Sequence, residues 1–379
     1  MSAIRVRALA AAALPAGMLT VVGLLLSSAA SVRAADGPAA HAAGCAPRGG
    51  WHFICGIDSP EDLVAVGATS WVITSGIAPH GGLYLLRADR GLWKEEFPSD
   101  DVSARLDAAR FGHCSGPPDA AKVSMLGLGI RPDPRAPQMA DVGPTDFTLY
   151  GVDAGREAIE VFDVALHPTP SFGGGAPVIP PPRLTWVGCV MLPHGVHGAG
   201  VTATRSGTIY ASVMRRPGQS TGAVYVWKPG DAGFHELSGM ELPGDAGLAI
   251  SADDHILYVV ASEAMRVDAF SLADPSHPMR TAQLHGFYPD NLHWDGGDLV
   301  TAGMRSGGGG GCQGGDEPMS PRCHRGYVAA RIDPTDMSVT VIAQGGPNPA
   351  YGNISMALPV AHHLWLGTFH SEGLAYRPM

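Results

Sequence analysis

The chain has 379 residues, of which 45% are hydrophobic and 16% charged, so it is long enough to bury a sizeable core. Its formal net charge is −10 and no stretch is rich in lysine and arginine, which argues against nucleic acid as a partner. Glycine (51 residues) and proline (32 residues) are spread along the chain, a composition typical of many short elements joined by turns.

The first 34 residues have the pattern of an export signal. Arg5 and Arg7 precede a stretch of apolar or small residues, 8–30, and Val32-Arg33-Ala34 forms a small-x-small cleavage site. The sequence therefore predicts a protein exported to the periplasm or the medium, with no membrane span once the signal is removed. A retained N-terminal anchor is the alternative, because the apolar run is long.

Short apolar strands bounded by turn residues recur six times along the rest of the chain. The first three units have the strands 62–66, 71–76 and 82–87; 126–130, 147–152 and 159–164; and 200–203, 208–212 and 223–227. The last three have 247–251, 256–260 and 267–272; 288–294, 297–300 and 326–331; and 354–358, 364–368 and 373–376. Recurrence at such intervals predicts an all-β fold, a six-bladed β-propeller with four-stranded antiparallel blades. The propeller is predicted over residues 55–379, after a linker and disulfide-closed arm at residues 35–54.

Six cysteines in an exported chain favour disulfides over metal binding, and no CxxC or Cys/His cluster indicates zinc. Several connectivities are possible for six cysteines. The spacing favours two local bridges and one long-range bridge: Cys45–Cys55, Cys312–Cys323 and Cys114–Cys189.

Candidate site residues lie where the first strand of each unit begins, because these strands line the central channel of a propeller. Asp290 and Asn291 stand at such a position, and carboxylate and amide oxygens are the ligands that calcium prefers. The corresponding residues of the other units are Glu61, Leu128, His197, Asp245 with Ala246, and Ser355.

Several motifs resemble the superfamily of gluconolactonases, senescence-marker-like proteins and paraoxonase/arylesterases. Ser59-Pro60-Glu61-Asp62-Leu63 is similar to the paraoxonase-type Ser-Glu-Asp-Leu of blade one, and Gly247–Ser251 with Ile256–Val259 is similar to a blade repeat of that family. Asp290-Asn291 with Gly297-Asp298-Leu299, and Leu364–Thr368, are similar to later motifs in the same order. The resemblance covers most of residues 55–379 and implies a six-bladed calcium propeller that hydrolyses lactones or esters.

The resemblance implies that Glu61, Asp290 and Asn291 hold the metal, most simply Ca²⁺, with Asp245 as a further candidate. The chain also departs from the family pattern. The asparagines expected in blades three and four fall on Ala199 and Ala246, and the paired histidines of paraoxonases fall on Leu128 and Val152.

Three histidines are candidates for the missing chemistry. His194 and His197 flank the position of the missing asparagine, and His293 faces the same side of its strand as Asn291. A histidine of ordinary pKa suits a general base that activates water. Imidazole ligands would instead favour zinc, manganese or iron.

The function predicted from the sequence is an exported metal-dependent hydrolase, a monomer acting on a small lactone or ester through a metal in the central channel. His197 is the first candidate for the base, with His194 and His293 in reserve. Two alternatives stay open: an isomerase or lyase on the same scaffold, and a non-catalytic binding propeller, which the missing ligands favour.

Overall fold

The computed structural model describes residues 33–34, 45–77, 81–140, 142–169, 177–307, 324–348 and 351–379. Six sheets follow one another around a ring. Each contains four antiparallel strands, the first beside the central channel and the fourth at the rim. The prediction of a six-bladed β-propeller is confirmed. Within these residues no helix is long and apolar enough to cross a membrane.

The first thirteen strands in chain order build blades one and two, the outer strand of blade six (β2) and a separate two-stranded sheet (β9 and β10). They are β1 (Arg33–Ala34), β2 (His52–Asp58), β3 (Leu63–Ala65), β4 (Trp71–Gly76), β5 (Gly82–Arg87), β6 (Leu92–Phe97), β7 (Ser103–Ala104), β8 (Met125–Pro132), β9 (Gln138–Met139), β10 (Gly143–Pro144), β11 (Asp146–Asp153), β12 (Ala158–Ala165) and β13 (Arg183–Met191). Blade one is β3-β4-β5-β6 with β1 on its outer edge, and blade two is β8-β11-β12-β13 with β7 added in parallel.

The other four blades repeat the same order. Their strands are β14 (Val201–Ala203), β15 (Ile209–Val213), β16 (Ala223–Trp227), β17 (His235–Leu237), β18 (Asp245–Ile250), β19 (Ile256–Ala261), β20 (Arg266–Ser271), β21 (Asp274–Gln283), β22 (Phe287–Asp295), β23 (Asp298–Arg305), β24 (Tyr327–Ile332), β25 (Val339–Gly345), β26 (Ile354–Val360), β27 (His363–Thr368) and β28 (Glu372–Pro378). A short 3-10 helix, Ser262–Ala264, joins β19 to β20.

The ring is closed by blade six, which combines strands from both ends of the chain. Blade six takes β26, β27 and β28 from the C-terminus, and its outermost strand is β2 from the N-terminal part. His52 pairs with Tyr376 and Ile54 with Leu374. Residues 52–54, which the sequence placed in an arm before the propeller, are therefore paired within blade six. This pairing joins the two ends of the chain and closes the ring.

The middle strands are buried on both faces, since each blade packs against two neighbours. Every residue of β16 is buried, and β4 and β18 are likewise buried throughout. This explains why these strands read as continuous apolar runs and not as an alternation of polar and apolar residues. Trp365 and Phe270 are fully buried where neighbouring strands meet, so they hold blades together and do no chemistry.

Two predicted disulfides are confirmed: Cys45–Cys55 and Cys114–Cys189. The first closes the loop that leads into β2, and the second ties the segment before blade two to β13. The third predicted pair, Cys312–Cys323, lies outside the described residues, as does most of the predicted signal.

Candidate functional site: the start of the inner strands

Irregular pairing at the start of the inner strands is what places polar side chains in the channel. The register shifts between Asp245 and Leu248 in β18, between Pro289 and Leu292 in β22, and within β26 around Ser355. A β-bulge lets one strand re-aim consecutive side chains, and bulges are frequent beside active sites. In β22 the shift spans Asp290 and Asn291.

Blades one, five and six meet at Glu61, just before β3. Asn291 donates from Nδ2 to Glu61 Oε1 at 2.6 Å, and the Ser355 hydroxyl donates to the Glu61 backbone carbonyl at 2.5 Å. All three side chains are buried. Glu61 and Asn291 are 230 positions apart in the sequence, so ring closure is what brings them together.

The carboxylates of this cluster repel one another in a buried setting. Burial raises the pKa of Glu61 well above its ordinary value, the charges of Asp62 and Asp290 raise it further, and the hydrogen bond from Asn291 opposes the shift. Burial and the charge of Asp62 raise the pKa of Asp290 from 3.8 to about 7. Glu61 Oε2 is buried and has no hydrogen-bond partner among the described residues. The cluster is therefore short of positive charge, and a cation or a proton would stabilise it.

His293 forms a pair with the fully buried Asp62. His293 Nε2 lies 2.7 Å from Asp62 Oδ1, which also accepts the backbone N–H of Leu63, while Asp62 Oδ2 accepts the backbone N–H of Leu128 at 2.7 Å. When Nε2 donates this hydrogen bond to Asp62, Nδ1 is the ring nitrogen that can accept one. His293 also lines a cavity of about 110 Å³ at the far end of the inner strands, with Arg131 beside it.

Asp62 is the site residue that the sequence interpretation did not identify. It stands in the Ser-Pro-Glu-Asp-Leu motif, but only Glu61 was assigned a role there. Two adjacent acids directly before an inner strand predict a polar site, because a buried carboxylate needs a partner. Its partner, His293, is 231 positions away along the chain, so the sequence does not show that the two side chains are in contact.

His194 and His197 lie apart from this cluster, in the loop that leads to β14. Both side chains are exposed, and they face Glu157: His194 Nδ1 at 3.3 Å and His197 Nδ1 at 3.8 Å from its carboxylate. Glu157 lies in the turn between β11 and β12, at the end of blade two where β8 begins. These histidines are therefore on the face of the ring at which the inner strands start, and the described contacts do not link them to Glu61 or Asp290.

Asp245 is also separate from the cluster, although it begins the inner strand of blade four. Its carboxylate is fully buried, it accepts the backbone N–H of Leu242 at 3.5 Å, and its Oδ1 has no partner among the described residues. Burial raises the pKa of Asp245 to about 8, and the neighbouring charges are Arg216, Asp268 and Glu241. None of these belongs to the channel cluster.

The positions where the resembled family has polar groups are packed in the core. Ala246 belongs to the apolar cluster between blades four and five, and Leu128 and Val152 belong to the cluster of blades one to three. An asparagine or histidine at these positions would lose its water without gaining a partner. The departures from the family pattern thus follow from how these side chains are oriented in this chain.

The donor set fits a hard divalent cation better than zinc or iron. Within the described residues no three His, Cys, Asp or Glu side chains converge on one point, so protein ligands would be two carboxylates and one amide. Glu61 Oε2 has no other partner there, and Asp290 is held beside it. His293 would add at most one imidazole nitrogen, because its Nε2 lies against Asp62. Oxygen donors completed by water are the set that calcium takes.

No model of a known protein family matches the chain, and no curated protein matches it as a relative. Three solved structures of similar shape are a gluconolactonase from Xanthomonas campestris, a luciferin-regenerating enzyme and a chain of the nidogen/laminin complex. Gluconolactonase-like propellers are among its structural neighbours.

The similarity to these structures is distant. The gluconolactonase is 16% identical, with a TM-score of 0.48 over 86% of this chain and 89% of its own. The luciferin-regenerating enzyme is 13% identical, with a TM-score of 0.47 over 85% and 92%. The nidogen/laminin chain is 13% identical, with a TM-score of 0.43 over 76% and 81%. The propeller assignment rests on the strand pairing of this chain, and its site is argued from its own residues.

Proposed function

We propose that the protein is an exported hydrolase that opens a small lactone or cleaves an ester with the help of a divalent cation, most simply Ca²⁺, and works as a monomer. The observation that carries this proposal is that two arrangements lie side by side in the chain, on the residues just before β3 and on β22. One is the under-neutralised cluster of Glu61, Asp290 and Asn291, and the other is the Asp62–His293 pair. A cation site beside an oriented base is the combination that hydrolysis of a carbonyl compound needs.

The cation would be held by Glu61 through Oε2, by Asp290 and by the amide oxygen of Asn291. When bound, it would polarise the carbonyl of the substrate and stabilise negative charge on its oxygen. Asn291 donates its amide N–H to Glu61 Oε1, which fixes the carboxylate and turns its second oxygen away from that bond. Ser355 fixes the backbone of the same residue.

His293 is the proposed base, in place of His197. Its Nδ1 takes a proton from water, the water oxygen bonds to the carbonyl carbon, and the acyl–oxygen bond then breaks. The proton passes to the leaving alkoxide, so the products are an alcohol and a carboxylic acid, joined in one hydroxy acid when the substrate is a lactone. The acid then releases its remaining proton to solvent and becomes a carboxylate. Asp62 keeps the ring in one orientation and stabilises the imidazolium that forms.

The test is hydrolysis of a panel of simple lactones and phenyl acetate by the purified full chain, before and after EDTA, with metal content measured in parallel. We expect the Glu61→Gln, Asp290→Asn and His293→Gln variants to lose activity, the first two together with bound metal and the third without it. His277→Gln is the control, because His277 is an exposed histidine on β21.

Four results would contradict the proposal in different ways. Full activity in Glu61→Gln and Asp290→Asn would remove the metal assignment, and loss of activity in His197→Gln but not in His293→Gln would place the base on the face of the ring. Turnover without incorporation of oxygen from labelled water would indicate an isomerase or lyase. No turnover of any substrate, in a stable metal-free protein, would favour a binding propeller.

A further inference from the structure

A second pocket, of about 400 Å³, lies between blades five and six and the arm that precedes β2. Three arginines line it, one from each segment: Arg48 from the arm, Arg325 from the residues just before β24 and Arg377 from β28. Its apolar walls are aromatic and include Trp51 and Tyr327. A volume of this size suits a small organic molecule.

The charge of this pocket is opposite to that of the protein. The net charge of the chain is −10, yet no aspartate or glutamate is among the described residues that line the pocket. Within the described part of the chain, Arg48 and Arg377 form no ion pair, whereas many other arginines have a carboxylate within reach, such as Arg156 with Glu160. In a protein of negative net charge, Arg48 and Arg377 without an ion pair among the described residues create a local attraction for anions.

The backbone that carries Arg48 and Trp51 is held in place. The Cys45–Cys55 disulfide closes the arm, and Arg48 and Trp51 pair through both of their backbone hydrogen bonds, at 3.0 and 3.1 Å. Trp51 in turn contacts Tyr327 of blade five edge to face, with ring centroids 5.9 Å apart.

Arg377 is oriented by the same tryptophan. Its guanidinium lies over the Trp51 ring, 4.8 Å from the centroid. Stacking uses the face of a guanidinium and leaves its N–H groups, which lie in the plane, free to donate. These donors match the two oxygens of a carboxylate, and aromatic walls favour a flat apolar body.

We propose that this pocket binds a small organic carboxylate that carries an aromatic ring, with Arg48 and Arg377 on the carboxylate and Trp51 and Tyr327 beside the ring. The site is distinct from the channel cluster and shares no residue with it. The proposal therefore stands whether or not the protein is a hydrolase.

The experiment is calorimetric titration of the full purified chain with 2-naphthoate, repeated with 2-naphthol, acetate and inorganic phosphate. We expect naphthoate to bind more tightly than the other three, since only it has both the carboxylate and the ring, and to bind less tightly at high salt. Arg48→Gln and Arg377→Gln should each weaken naphthoate at least about fivefold, and Arg377→Lys should weaken it less. Arg135→Gln, an exposed arginine outside the pocket, should have no effect.

Each outcome either supports or overturns the proposal. Binding of naphthoate that both glutamine variants weaken supports it, and Arg48→Gln keeps the test valid if Arg377→Gln disturbs the packing of Trp51, because Arg48 is exposed. Tighter binding of phosphate or naphthol than of naphthoate overturns the ligand class. Absence of binding, or binding that the arginine substitutions leave unchanged, overturns the site.

Discussion

Replacing Asp290 with asparagine should stabilise the metal-free protein near neutral pH and at the same time remove its response to calcium. Burial and the charge of Asp62 raise the pKa of Asp290 from 3.8 to about 7 in the folded protein. Between these two values the unfolded chain has released the proton and the folded chain still holds it. Stability therefore falls as the pH rises through this window, which is the reverse of the usual behaviour of a carboxyl group.

The size of the effect follows from the same values. Raising the pKa of Asp290 from 3.8 to about 7 on folding lowers the free energy of unfolding by at most about 4 kcal/mol at pH values above this window. The conversion is about 1.4 kcal/mol for each pH unit. Asparagine has nearly the same shape and cannot ionise, so Asp290→Asn should recover a large part of this free energy at about pH 8 and almost none at about pH 4. Calcium at about a hundred times its Kd should stabilise the native protein by about 2.7 kcal/mol and the variant by much less.

The assay is urea unfolding followed by tryptophan fluorescence, in EDTA and in calcium, at both pH values. Asp245→Asn is the matched control: burial raises the pKa of Asp245 to about 8, but it lies outside the channel cluster. It should show the same pH-dependent gain in EDTA and keep the calcium response. The reasoning is refuted if Asp290→Asn is destabilising in EDTA by the same amount at both pH values, or if calcium stabilises it as much as the native protein.

Three further outcomes follow from named contacts. His293→Gln should lower kcat by about 10²- to 10⁴-fold while leaving the calcium-dependent stabilisation intact, measured as initial rates and as the shift in Tm. Gly247→Ala should cost about 3 kcal/mol in urea unfolding, because the added Cβ would lie 2.6 Å from a blade-five carbonyl, whereas the open Gly297→Ala should be nearly neutral. Removing the Cys114–Cys189 bridge by a double alanine substitution should cost about 4 kcal/mol, from the 75-residue loop that it closes, and an unchanged urea midpoint would contradict this.

The inner and middle strands could be predicted from the sequence because their physical signal is strong. β16, for example, is a run of apolar and aromatic residues that ends at turns on both sides, and both of its faces are covered by neighbouring blades. The outermost strands carried no such signal. β21 contains two prolines and is exposed along most of its length, so no hydrophobic pattern marks it. β2 was missed for another reason: its partner, β28, is at the other end of the chain.

Part of the site could be predicted and part could not. The resemblance to the calcium propellers implies Glu61, Asp290 and Asn291, and the oxygen donors of Asp290 and Asn291 at a strand start point the same way; in the structure Asn291 bonds to Glu61, and the charge of Asp290 acts on it. The position of Asp245 looked equivalent, but a register shift follows it and its carboxylate faces other charges. Which histidine accompanies the acids depends on how neighbouring blades meet, so His197 could not be distinguished from His293 along the sequence.

The side chains proposed to hold the cation come from only two of the six blades. Glu61, Asp290 and Asn291 belong to blades one and five, whereas the corresponding residues of blades two and four, Leu128 and Ala246, pack into the apolar clusters. A cation held by so few protein side chains keeps several positions for water and substrate, as in catalytic sites, and binds more weakly than one that is fully enclosed.

We expect the cation to be needed for activity and not for folding, because the apolar clusters that join the blades bury their side chains without it. We expect dialysis against EDTA to abolish hydrolysis while the far-ultraviolet circular dichroism of the sheets stays unchanged, and calcium alone to restore the rate. Loss of the β-sheet signal together with the metal would mean instead that the cation is a structural element of the ring.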